Sequence, residues 1–156
     1  MALFLVQHGK SVSRDVDPQK KLSDLGFRET QRISPVAKGY GIPVKKIFHS
    51  GKKRAEQTAR IYHEALEIQA PMETISGINP LDDVRAFAAR IDPDANWMVV
   101  GHMPFMERLV SYLTTGSEEI RVYRFQNSGI VCLEAEQNAD GQLDWSIKWT
   151  LNPHIT

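Results

Sequence analysis

Short apolar runs alternate with stretches of helical periodicity along residues 2–115, and this alternation restricts the fold more than any other feature of the chain. Ala2 to Gln7 carries Leu3, Phe4, Leu5 and Val6 in an unbroken run, the pattern of a strand buried on both faces. Lys45–Ser50, Thr74–Ile78 and Trp97–Gly101 read as three further strands. Between them, Ser23 can cap a helix beginning near Asp24, where Phe27, Thr30, Ile33 and Ala37 recur at helical spacing until Gly39 and Gly41. From Arg54 onward Ala55, Ala59, Tyr62 and Leu66 share a helical face, and Leu81–Ile91 and Phe105–Leu113 are helical too. The tail differs. Gly129–Glu136 and Asp144–Asn152 read as a hairpin turning at Asp140-Gly141. Trp145, Ile147, Trp149 and Leu151 alternate there with Ser146, Lys148 and Thr150, which predicts a strand with one buried face. Strands that alternate with helices pair in parallel. The expectation is a three-layer α/β sandwich with a mostly parallel central sheet and a C-terminal β-hairpin, residues 1–156 forming a single domain.

Composition narrows the function. Nineteen basic residues balance nineteen acidic ones, so no net field recruits nucleic acid or an anionic membrane, although a local basic pocket is compatible with that balance. Cys132 is the only cysteine, which rules out an intrachain disulfide and suits a reducing compartment. No apolar stretch has the length of a signal-peptide core or a membrane span, so a cytoplasmic protein is expected.

Polar clusters close three of the predicted strands: Gln7-His8-Gly9, Ser50 through Arg54, and Gly101-His102. In open α/β sheets the ligand crevice lies beyond the carboxyl ends of the strands, so His8, Arg54 and His102 can converge on one ligand. Any one of them alone is a weak signal. Of the other histidines, His49 reads as structural, His63 and His154 as solvated. No metal-ligand spacing and no phosphate-cradling glycine loop is present. A neutral imidazole is a nucleophile at physiological pH. A guanidinium matches phosphoryl oxygens, and a second, protonated histidine would stabilise developing charge. Gly9 would let the backbone approach the ligand. The chemistry suggested is covalent phosphoryl transfer through a phosphohistidine.

These residues lie in segments that resemble the histidine phosphatase superfamily, the phosphoglycerate mutase-like fold, and in particular its short SixA-type phosphohistidine phosphatases. "LVQHGKS" (5–11) falls where the superfamily has Arg-His-Gly, and "KKLSDLGFRET" (20–30) resembles its Leu-Ser/Thr-x-x-Gly helix start. "HSGKKRAEQTARIY" (49–62) resembles Ser-Pro-x-x-Arg-Ala-x-Gln-Thr-Ala, and "VVGHMPFMERLVSYLTTG" (99–116) resembles Val-Gly-His-x-Pro. The resemblance implies His8 as nucleophile, Arg54 and His102 as phosphoryl ligands, and no cofactor. It places Asp82 and Asp83 in the region of the general acid of longer relatives. The chain has little room for the lid of those relatives, which favours an open site that admits a side chain of another protein.

Two departures stand out. Gln7 occupies the place of a phosphate-binding arginine, offering a hydrogen bond without charge. Lys10 is a substitute charge close in sequence, with Ser11 as an auxiliary hydroxyl. Gly51 replaces the proline of the Ser-Pro segment. The expected partner is a phosphohistidine-bearing protein. The alternatives are a small phosphate ester, or a non-catalytic phosphate-binding module in which Gln7 has cost the protein its turnover.

Overall fold

The structure, a computed structural model, describes residues 1–155. Its strands are β1 (Ala2–Gln7), β2 (Lys46–His49), β3 (Glu73–Thr74), β4 (Trp97–Gly101), β5 (Ile130–Gln137) and β6 (Leu143–Leu151). They form one sheet in the order β3-β2-β4-β1-β5-β6. Pairs β3–β2, β2–β4 and β4–β1 are parallel, while β5 runs antiparallel to both β1 and β6. Four helices cover the sheet: α1 (Asp24–Gly39), α2 (Lys53–Ala65), α3 (Val84–Ala88) and α4 (Phe105–Thr115). The predicted three-layer arrangement, mostly parallel with a C-terminal hairpin, is what forms. Among the described residues no helix is long and apolar enough to cross a membrane.

Strand alternation divides the core in two. Leu3, Leu5, Val99 and Leu133 face Val84, Phe87, Phe105 and Leu109 of α3 and α4. Phe4, Val6, Met98 and Val100 face the other way, against Ile33, Ala37, Ala59 and Tyr62 of α1 and α2. Both faces of β1 and β4 are therefore covered, the reason their sequences lack alternation. Ser23 caps α1 as expected, its hydroxyl accepting the Gly26 amide at 3.0 Å.

Three elements differ from the sequence expectation. The strand expected over 74–78 is reduced to Glu73–Thr74. The helix expected over 81–91 keeps only Val84–Ala88, because the residues before it close a turn. The Asn79 amide donates to Asp82 Oδ2 at 2.8 Å and the Asp82 amide to the Asn79 carbonyl at 3.0 Å. β6 does not keep one buried face. A bulge between Cys132 and Leu133 pairs Leu133 with Ile147 but Cys132 with Trp149, leaving Lys148 as the extra residue. Trp145 and Ile147 consequently pack toward α4, and Trp149 and Leu151 toward the opposite core.

Candidate active site

β1 and β4 are neighbours in register, with Gln7 opposite Gly101. The next residue of each strand is a histidine, so pairing alone brings His8 and His102 together. The His8 amide donates to the Gly101 carbonyl at 3.0 Å, and the two imidazole centroids lie 5.0 Å apart. β2 flanks β4 on its other side, and the turn after it delivers Arg54 in the first turn of α2. The three residues read from the strand ends do converge.

The bonds around His8 fix its tautomer. Nδ1 lies 2.7 Å from the Gly9 carbonyl, which only accepts, so Nδ1 carries the proton. Nε2 is left with a lone pair, which accepts from Arg54 Nε at 3.3 Å. Burial, with lesser repulsion from Arg54 and Lys20, holds the imidazole pKa down to about 4 against the raising effect of the Gly9 carbonyl. His8 is neutral.

His102 is 2% exposed, and its Nε2 lies 2.6 Å from Ser50 Oγ. Its Nδ1 is buried with no partner among the described residues. An unpaired buried N–H is rarer than an unpaired acceptor, so Nδ1 is the bare nitrogen and Nε2–H donates to Ser50. Burial first, then repulsion from His8 once that ring is protonated and from Arg54, Lys52 and Lys20, lowers its pKa to about 3. The expectation of a protonated His102 is thus corrected for the empty site: a buried imidazole among cations stays neutral.

Several other expectations change on inspection of the contacts. Gly9 does not serve to bring backbone toward a ligand. Its amide is committed to Thr58 Oγ1 at 2.9 Å, and a Cβ there would lie 2.9 Å from Ser128 Oγ and 3.0 Å from Leu22 Cδ2. It is a packing glycine. Lys10 is turned toward Glu29, with Nζ 3.8 Å from Oε1, and Lys20 is the lysine whose charge acts on both histidines of the pair. Ser11 bridges to Leu22 and closes the base of the loop between them. Gly51 has φ +89°, which proline cannot adopt, and its amide donates to His49 Nδ1 at 3.0 Å. Asp82 is spent on the Asn79 amide, and Asp83 caps α3 by accepting the Arg85 amide at 2.9 Å. Neither carboxylate bonds to a histidine of the pair. His154 is not free in solvent but pairs with Glu29. The half-buried Gln7 follows Leu3 and Leu5 in the alternation of β1, and its carboxamide makes no hydrogen bond with the described residues.

Four supporting residues have roles that no short-range pattern announces. Ser50 holds His102, and Thr58 ties Gly9 to α2 by also donating to the Arg54 carbonyl at 2.8 Å. Asn127 donates to the His8 carbonyl at 2.8 Å. Ser128, at φ +66°, donates its amide to the Gln7 carbonyl, pairs its hydroxyl with Thr30, and accepts from Tyr62 Oη at 2.5 Å. The motif letters Ser50 and Thr58 were visible in the sequence; Asn127 and Ser128 gave no signal. Among the described residues no three His, Cys, Asp or Glu side chains gather as metal ligands would.

The fold has counterparts among known proteins. Phosphohistidine phosphatase SixA of Escherichia coli (strain K12) is 23% identical over 153 residues, spanning 94% of this chain and 93% of the relative. A structure of the protein histidine phosphatase SixA complexed with tungstate superposes with a TM-score of 0.81 at 23% identity, covering 98% of this chain and 97% of the other. A mycobacterial glucosyl-3-phosphoglycerate phosphatase has a TM-score of 0.69 at 12% identity, covering 95% and 97%. No family model matches the chain. The fold is that of these phosphatases, as the resemblance read from the motifs implies.

Proposed function

We propose that the chain is a phosphohistidine phosphatase that works without a metal, with His8 Nε2 as its nucleophile. One observation carries this reading: a neutral imidazole with its proton on Nδ1 and its Nε2 lone pair facing Arg54, beside a second neutral imidazole. The similarity to SixA supports the substrate class.

In the first step Arg54 transfers its N–H donors from Nε2 to the phosphoryl oxygens. The Nε2 lone pair then attacks phosphorus in line as the bond to the substrate's ring nitrogen breaks, its electron pair returning to that nitrogen. The substrate imidazole, protonated on its other nitrogen, leaves as neutral imidazole and needs no acid from the enzyme. His102 Nε2–H donates to a phosphoryl oxygen in place of Ser50, and Lys20 supplies charge that Gln7 lacks. Water then attacks the phosphorus on Nε2, releasing phosphate and restoring His8.

Hydrolysis of alkyl phosphate esters would require a general acid, and both carboxylates considered for it are tied to backbone amides. A positioned acid is worth about 10²–10⁴-fold in rate. Phosphate release from a histidine-phosphorylated protein should therefore exceed release from phosphoserine peptides by about 100-fold or more. It should be unaffected by a chelator such as EDTA. Equal rates on both substrates, or loss of activity in the chelator, would overturn the proposal.

A further inference from the structure

Although acidic and basic residues balance over the whole chain, they are not mixed evenly beside Arg54. The loop from Arg14 to Lys20 and the start of α2 enclose an open cleft of about 750 Å³. Arg14, Lys20, Lys52, Lys53, Arg54 and Arg60 line it, against the single carboxylate of Glu56. Glu56 is already paired with Arg60 at 2.7 Å. Asp17, on the same loop, accepts the Gln19 and Lys21 amides at 3.2 and 3.1 Å and adds its charge near Lys53. Six cations thus face two carboxylates, and in the empty protein Arg14 and Arg54 repel one another. A negatively charged occupant would relieve that repulsion and be drawn toward Arg54.

Three features indicate what kind of anion. The cleft begins at Arg54 and runs along α2 as far as Arg60, so its occupant extends outward from a reacting phosphoryl group. Three of the six cations are lysines, hydrated point charges that solvent-exposed carboxylates satisfy without the bidentate geometry an arginine offers. Pro18 carries the only wholly apolar side chain of the lining, unlike the core of a stable protein interface and compatible with a substrate that must leave. We infer that this cleft receives acidic residues flanking the phosphorylated histidine of a protein substrate. The inference rests on the phosphohistidine phosphatase reading and names the partner chemistry of that site.

Two synthetic peptides test it, each with one phosphohistidine, flanked on both sides by glutamates in one and by glutamines in the other. Exposed Lys53 and Arg60 lie two helical turns apart on α2 and outside the histidine pair, so Lys53→Gln/Arg60→Gln is the variant of choice. The parent should show a kcat/KM about tenfold or more higher for the glutamate peptide, through KM. That preference should collapse to within about threefold in the variant and in about 0.5 M NaCl, while the glutamine peptide is turned over equally by both proteins. Equal kcat/KM for the two peptides in the parent, or a preference that survives in the variant, would overturn the inference. So would inorganic tripolyphosphate inhibiting the parent at far lower concentration than the unphosphorylated glutamate peptide, since the cleft would then serve a small polyanion. If the parent hydrolyses neither peptide, the phosphatase reading fails separately. Fluorescence anisotropy of the unphosphorylated peptides then decides: glutamate-selective binding lost in the variant supports an acidic partner, and unselective binding refutes it.

Discussion

At His8, two hydrogen bonds decide which ring nitrogen can react. The Gly9 carbonyl takes the Nδ1 proton and leaves Nε2 toward Arg54. In a titration of the empty protein followed by NMR of the imidazole resonances, His8 should be an Nδ1–H tautomer with a midpoint near 4, and His102 should titrate near 3. Midpoints close to 6.5 would show that the pair is far better solvated than its burial implies. Gln7 carries the second residue-scale expectation. Replacing a neutral donor by a charged fork is worth about 1–2 kcal/mol, so Gln7→Arg should raise the single-turnover rate roughly 5- to 30-fold. With that arginine present, Lys20→Ala should cost less than it does in the parent, since both supply the same charge. An arginine variant that neither binds phosphate more tightly nor reacts faster would place residue 7 away from the phosphoryl group. The histidines and Arg54 were legible as residues, because an apolar run that stops at a polar cluster marks a strand end. Their charge states were not, because burial sets them. Lys10 stands close to Gln7 in sequence, and that proximity says nothing about a side chain that Glu29 draws aside.

Elements hold the site through contacts between distant parts of the chain. α1 starts against the loop after β1: a Cβ on Gly26 would sit 2.1 Å from the Lys10 carbonyl oxygen, a backbone atom that cannot simply turn away. Gly26→Ala should therefore cost about 1–3 kcal/mol in denaturant unfolding, by displacing the helix from the loop that carries His8. A loss below about 0.5 kcal/mol would mean that the helix start shifts freely. Tyr62 reaches from α2 to the Ser128 carbonyl in a fully buried setting, so Tyr62→Phe strips a buried acceptor of its donor. The cost expected is about 1–3 kcal/mol in the same measurement, and no loss would show that the carbonyl finds another partner. The helix start at Ser23 was legible because capping is local chemistry. The Asn127 bond to His8 spans 119 positions and Thr58 to Gly9 spans 49, separations at which no local pattern operates. The bulge in β6 escaped notice for a related reason. A strict alternation such as Trp145 to Leu151 keeps its sequence period even where an extra residue moves its second half to the other face.

Across the whole molecule, the same buried histidines couple folding to pH. Both have folded pKa values, about 4 and about 3, below the ordinary histidine value, so the unfolded chain binds more protons once the pH drops below about 6.5. Their contribution to stability is complete above that pH and is lost progressively as the pH falls toward 4 and 3. The melting temperature should decline over this window, and His8→Asn/His102→Asn should flatten the decline, since an amide does not titrate. An unchanged slope in the double variant would assign the pH dependence to other groups. At this scale the sheet and its two faces were the most legible part of the sequence. Strands β1 and β4 are apolar throughout because helices cover both sides. The short α3 was the least legible, since an Asn79–Asp82 turn and a helix start share the same polar residues.

The proposed reaction turns on His8 Nε2 taking the phosphoryl group. Rapid-quench trapping with a ³²P-labelled phosphohistidine protein, followed by peptide mapping, tests it most directly. A transient label is expected on His8, stable in base and labile in acid, as a phosphoramidate is, and absent from His8→Ala. Turnover at the parent rate by His8→Ala, or a label on any other residue, would contradict it.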